Sequence, residues 1–258
     1  MSENRYKISD HPFVILITVL AGIIAIFVFI SGIENLPDLY KRWFLPDLYD
    51  NFEDTFFDGK VNPSLWEING NSRGEATQLN GALIIQTNSR EEDGNFALYT
   101  VNPRTISYQN LEYMEAKFKL DSRQAGKGSF LKIQAVTIFD QKVWWIECKF
   151  TNGTTAYPDA SCNLQENTFL SDGSPAYSYE TEHIPCSYDT WYKIRFVLEP
   201  NTGKVSFYLD NKLMGESAFS NITVMRNLGG FSLQVGSWIS PQDNMLGYVD
   251  DVKIGTTK

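Results

Sequence analysis

In the segment Lys142–Phe150 (KVWWIECKF), two indoles and a carboxylate fall within four residues. Alternation along an extended strand sends Trp145 and Glu147 to one face and Trp144, Ile146, Cys148 and Phe150 to the other. The same reading of Glu112–Leu120 and Ser129–Thr137 puts Tyr113, Glu115, Lys132 and Gln134 on a polar face beside them. An aromatic ring stacks on the C–H face of a polyhydroxylated ligand, and carboxylates, amides and amines meet its hydroxyls. Trp145, Glu147, Tyr113, Glu115, Lys132 and Gln134 therefore form a candidate ligand-binding set. The competing reading is a solvated face with cross-strand pairs, such as Lys132 beside Glu147 and Glu115. With one strand between them, Glu115 and Glu147 would stand ~9.5 Å apart. Only an inverting pair of carboxyls works at that distance.

Other chemistries are excluded by what is missing. The 258 residues contain no GxxxxGK[ST], no GxGxxG opening a helix, no HExxH and no CxxC. Two histidines and three cysteines supply no zinc-ligand spacing. With 22 Lys+Arg against 31 Asp+Glu, the chain lacks the basic footprint of a nucleic-acid binder. A charged fraction of 21% with 43% apolar residues is globular and excludes a wholly disordered chain.

Phe13–Ile30 is an uncharged apolar run of 18 residues, which Ser31-Gly32-Ile33 extends. Its length matches a ~30 Å hydrocarbon core and exceeds a cleavable signal core, and Phe29-Ile30-Ser31 is a poor cleavage site. The reading is a short cytoplasmic tail (1–12), a single transmembrane helix (13–33), a juxtamembrane linker (34–50) and one large domain (51–258). Lys and Arg flank the run equally, and the whole net charge of −9 lies after it, which points to an extracytoplasmic domain at the cell membrane. The linker holds a short duplication, LPDLY at 36–40 and again at 45–49, around Lys41-Arg42-Trp43-Phe44. That mixture suits either the headgroup layer of the bilayer or a simple spacer.

From Asn51 onward, apolar and polar residues alternate, and helical periodicity is scarce. Ten strands are legible, at Ala82–Thr87, Phe96–Thr100, Glu112–Leu120, Ser129–Thr137, Lys142–Phe150, Trp191–Glu199, Lys204–Asp210, Lys212–Glu216, Gly230–Trp238 and Leu246–Ile254. Asn80-Gly81, Asn201-Thr202-Gly203 and Asp210-Asn211 suit tight hairpins. Such a series predicts an all-β, two-sheet antiparallel sandwich. Its core should take Met114, Ala116, Phe118, Leu120, Leu131, Ile133, Ala135, Trp144, Ile146, Cys148, Phe150, Tyr192, Ile194, Phe196, Leu198, Val205, Phe207, Leu209, Phe231, Leu233 and Val235. Cys148 reads as a buried thiol. Cys162 and Cys186 read as loop residues that pair in an oxidising compartment, worth on the order of 3 kcal/mol. Asn152-Gly153-Thr154 and Asn221-Ile222-Thr223 fit the N-glycosylation triplet, which chance alone also supplies.

Three segments carry a resemblance. Asp50-Asn51-Phe52 followed by Trp66, Thr190–Phe196 (TWYKIRF) leading into Gly203–Asp210, and Tyr248–Ile254 (YVDDVKI) are similar to concanavalin A-like lectin/glucanase domains, which include laminin G-like modules. The resemblance implies a jelly-roll sandwich over roughly residues 50–255. Its enzymatic branch, the retaining β-glucanases, carries E-x-D-x-x-E on one strand. Here the matching strand offers Glu147 alone. The expectation is therefore a membrane-anchored recognition module, not an enzyme, that binds a glycan or a cell-surface protein without cleavage. A glycoside hydrolase related to those glucanases, or a structural ectodomain of a membrane complex, are the alternatives. The resemblance also implies a structural Ca²⁺, for which Asp250 and Asp251 are the candidate ligands, and no other cofactor.

Overall fold

The computed structural model describes residues 48–70, 74–87, 94–100, 105–125, 128–139, 142–151, 157–169, 177–240 and 243–257. All of them belong to one compact unit, Asp47–Lys258. The predicted transmembrane helix, the tail, most of the linker and the Asn152 triplet lie outside the described residues. No helix among the described residues is long and apolar enough to cross a membrane.

Two eight-stranded antiparallel sheets face each other. Sheet A runs β14 (Lys212–Ala218), β13 (Lys204–Leu209), β12 (Tyr192–Glu199), β6 (Leu111–Ala125), β16 (Met245–Thr256), β4 (Ala82–Thr87) and β3 (Gly74–Leu79), with β1 (Leu48–Asp50) on β16. Sheet B runs β10 (Tyr177–Glu180), β9 (Asp159–Phe169), β8 (Lys142–Thr151), β7 (Phe130–Phe139), β15 (Ser232–Ile239), β5 (Gly94–Thr100) and β2 (Trp66–Gly70), with β11 (Ile184–Pro185) on β9. The short helix α1 (Ile222–Asn227) is capped by Asn221, whose side-chain oxygen accepts from the Val224 N–H. Leu48–Asp50, read from sequence as the end of the linker, is thus already a strand of the sandwich.

Period-2 alternation is obeyed closely. Met114, Ala116, Phe118 and Leu120 of β6 meet Leu131, Ile133 and Ala135 of β7 and Ile146, Cys148 and Phe150 of β8 between the sheets, all fully buried. The hairpins follow turn chemistry as well. Asn80 and Gly81 have φ of 54° and 73°, and Asp210 and Asn211 have 47° and 66°. These are the left-handed pairs that match strand twist in two-residue loops.

The cysteine expectation is corrected. Cys162 is not in a loop but on β9, directly opposite Cys148 of β8, and these two form the disulfide. Both side chains point inward from adjacent strands, which brings the sulfurs together without any loop movement. Cys186 is the free thiol. It is buried, its Sγ donates to the Ile184 carbonyl at 3.4 Å, and burial pushes it up to about 12. Reduction, or Cys148→Ala with Cys162→Ala, should cost about 3 kcal/mol, since the bond closes a separation of 14 residues. Urea melts with and without reductant measure this, and Cys186→Ala should leave the difference intact.

Candidate functional site

Four of the six sequence-predicted ligand residues come together on the outer face of sheet B. Register sets them in a row: Glu180 of β10 faces Asn163 of β9, which faces Glu147 of β8, then Gln134 of β7 and Gln234 of β15. Trp145 lies one step along β8 on the same face, and Lys132 and Lys149 flank the row on the other side. Gln134, Glu147, Lys132, Asn163 and Gln234 are all buried, although they point away from the hydrophobic core.

Glu147 is the hub. Its Oε2 accepts from Gln134 Nε2 at 3.0 Å and its Oε1 from Asn163 Nδ2 at 3.3 Å. Asn163 Oδ1 in turn accepts from the Trp145 indole at 2.9 Å, which fixes the ring beside the carboxylate. The Lys132 ammonium stands 3.6 Å from Glu147 and donates to Gln134 Oε1 at 3.2 Å. Burial holds Lys132 below the ordinary lysine value, although Glu147 opposes that shift. Lys149 reaches Glu147 at 3.8 Å and Glu180 at 3.6 Å, and His183 lies 3.7 Å from Glu180 and 3.1 Å from Asp159. Two polar atoms on this face, Gln234 Oε1 and Ser161 Oγ, are buried without a hydrogen-bond partner among the described residues. Such orphans are ordinarily met by water or by a ligand group.

Tyr113 and Glu115 do not belong to this constellation. Consecutive in sequence, β6 and β7 lie in opposite sheets, so the outward face of β6 is the far side of the sandwich. Glu115 and Glu147 are separated by the ~10 Å between sheets plus two outward-pointing side chains. They cannot act on one bond, and the inverting pair read from sequence is withdrawn. Asn163 and Glu180 are absent from the sequence-predicted set, because the legible strands stop at Phe150 and resume at Trp191, whereas β9 and β10 lie between. The signal was present: Ala160, Cys162 and Leu164 are apolar and buried, and Ser161, Asn163 and Gln165 alternate with them.

The Asp250-Asp251 pair sits on sheet A, at a bulge where Asp251 has φ +47°. The positive charge beside it is the Lys117 ammonium, 2.5 Å from Asp251 Oδ2, and the Asp251 N–H donates to Asp250 Oδ1 at 2.7 Å. Among the described residues no three His, Cys, Asp or Glu side chains converge as metal ligands. Burial, with Asp251 adding to it, raises the Asp250 carboxyl from 3.8 to about 6. The folded state thus keeps a proton that the unfolded chain releases above pH 3.8, so stability falls as pH rises towards 6 and stays lower above it. Asp250→Asn should therefore raise Tm at pH 7 and change little at pH 4. At a half-exposed site the gain is about 1 kcal/mol after solvent screening, roughly 2–4 °C. Melting curves across that pH range check the sign.

No family model and no curated protein sequence matches the chain. Solved structures do match its fold. A laminarinase from Flavobacterium sp. UMI-01 superposes with a TM-score of 0.55 at 14% identity, over 80% of this chain and 97% of its own. A Bacteroides ovatus mixed-linkage glucan GH16 protein, solved with an oligosaccharide product, gives 0.52 at 10% identity over 80% and 98%. An immunostimulatory antigen of Mycobacterium tuberculosis, described as a pseudo β-1,3-glucanase, gives 0.54 at 14% over 81% and 98%. These likenesses show the fold alone, a two-sheet antiparallel jelly-roll sandwich of the concanavalin A-like kind. They also correct the expectation of a non-enzyme, since the similar structures are mostly glycan-cleaving enzymes.

Proposed function

We propose that the domain is a glycan-cleaving hydrolase that works on the outer face of sheet B. The observation that carries this reading is Glu147, a buried carboxylate on the solvent side of a sheet. It is oriented by two amide donors and stands beside an indole that Asn163 holds in place. Both of its oxygens act as acceptors, the arrangement of a nucleophile or general base.

A second carboxyl is required, and β8 has none. Glu180 is the partner that the register supplies. Both carboxylates are tied to the Lys149 ammonium, at 3.8 and 3.6 Å, which puts those oxygens within ~7.5 Å of each other. Their backbones stand two strand spacings apart, ~9.6 Å. That upper limit admits a retaining pair, at about 5–5.5 Å, as well as an inverting pair, at about 6.5–9.5 Å, and the two-strand backbone spacing favours the inverting one, with a water molecule between. Glu147 takes a proton from the water as its oxygen attacks the anomeric carbon. The glycosidic C–O bond breaks, and Glu180 gives its proton to the leaving oxygen. Trp145 stacks on a sugar ring. The test is incubation with a panel of neutral and acidic oligosaccharides, reading new reducing ends and their initial anomeric form by NMR. Products appearing with inverted configuration support the reading, and no product from any member sinks it.

The uncharged run Phe13–Ile30 supports a tether that holds this domain at the cell membrane, outside the cytoplasm. The full chain should stay in the membrane pellet after alkaline carbonate extraction, and protease added to intact cells should remove the sandwich. Release into the supernatant would refute the tether.

A further inference from the structure

The outer face of sheet A carries a group of charges that the proposed reaction does not use. Glu115 of β6 is almost fully buried, and its direct cross-strand partners are Arg195 of β12 and Lys253 of β16. Lys253 stands 3.4 Å from one carboxylate oxygen, and Lys193 and Arg195 each stand 3.8 Å from the other. A single partner would compensate Glu115. Three cations around one anion leave a surplus of two positive charges, on a chain whose net charge is −9. Lys193 is also directly opposite Lys117, and like charges so placed repel. Asp251 neutralises Lys117 but not Lys193.

The cations are not locked into other duties. Their side chains are 28%, 29% and 35% exposed. The Arg195 guanidinium lies over the Tyr208 ring at 4.8 Å, and its Nε has no hydrogen-bond partner among the described residues. Four residues along β6, about 13 Å away, the Lys119 ammonium lies 4.9 Å from the Trp191 ring and 4.3 Å from that of Tyr248. Cationic and aromatic groups thus alternate along one strip of the sheet.

We propose that this strip is a second binding site, distinct from the Glu147 face, for the sulfate or carboxylate groups of an acidic polysaccharide. Such a chain carries anions separated by pyranose rings, matching a cation cluster with aromatic rings further along. A nucleic acid asks for many closely spaced phosphate contacts, more than the three cations around Glu115 supply. A bilayer asks for exposed apolar side chains. Among the described residues, Trp191 is the one exposed large apolar group that borders β6, β12 and β16.

The test measures binding of the full chain to dextran sulfate, polygalacturonate and neutral dextran, and to phosphatidylserine vesicles, over a range of salt. The acidic polymers should bind, increasingly weakly as salt rises, and neutral dextran should not. Arg195→Gln and Lys253→Gln should each weaken binding about fivefold. Lys253→Gln leaves Glu115 two cations, so the fold survives it. Glu115→Gln removes the internal competitor and should tighten binding, a sign that a purely structural role would not produce. Equal binding of neutral dextran overturns the proposal, as does an effect of neither cation variant. Capture by anionic vesicles without dextran sulfate binding would replace the polysaccharide with a lipid surface.

Discussion

Glu147→Gln should lower glycan cleavage by two to four orders of magnitude, the range for losing a positioned proton-transfer group. Binding should change only a few-fold, because the Trp145 plate and the polar row remain. The substitution has a structural cost that must be separated from the chemical one. Lys132 is 6% exposed and Glu147 is the carboxylate beside it. Removing that charge leaves a buried ammonium uncompensated, a loss of about 3 kcal/mol. Glu147→Gln with Lys132→Met removes both charges and keeps the volume close. The double variant should regain most of the lost stability in urea melts and none of the lost turnover. Turnover near the wild-type rate in the single variant would remove Glu147 from the mechanism, and with it the proposed hydrolase.

The sandwich was legible because period-2 alternation reports local strand faces, and nearly every core position read that way is buried. Alternation says nothing about which sheet a strand joins. That is why Glu115 and Tyr113 were grouped with Glu147 when β6 and β7 belong to opposite sheets. Strand adjacency in the chain favours pairing, but the sandwich crosses over between β6 and β7. The same limit hid the disulfide. With 159–169 unread as a strand, Cys162 could not be seen opposite Cys148. The resemblance has its own geography. Its opening Asp50, its closing Tyr248–Ile254 and the β12 segment all lie in sheet A. The predicted catalytic strand lies in sheet B, and there the glucanase carboxylate pattern is reduced to Glu147. Apart from Trp66 on β2, these motifs lie in the sheet opposite that strand, so they report the fold and not its chemistry.

The Asp50 motif has the largest stability effect to be expected from a single polar side chain. The Asp50 carboxylate is 5% exposed, and its Oδ2 accepts from the Trp66 indole at 2.7 Å. Its Oδ1 accepts from the Phe52 N–H at 2.9 Å. Phe52 has φ +53°, a left-handed conformation that a large side chain adopts only when its surroundings impose it. The Phe52 ring stacks on Trp66 at 6.1 Å, and Tyr49 meets the same indole edge-on at 5.0 Å. Asp50 is also where β1 joins β16, opposite Val252. The first and last motifs of the resemblance are thus one structural unit, and the carboxylate is its clasp. Asp50→Ala strands a buried indole N–H and a buried amide and frees the Phe52 turn, a loss of about 3–5 kcal/mol. Asp50→Asn keeps one acceptor oxygen and presents a donor in place of the other, so about half of that loss should remain. Urea midpoints of the two variants should fall in that order, with Trp66 fluorescence shifting to the red in Asp50→Ala under native conditions. If Asp50→Ala melts with the wild type, the unit is held by ring packing alone. Trp66→Phe, which shrinks the ring as well as deleting the N–H, should then still lose stability, because its cost would be packing.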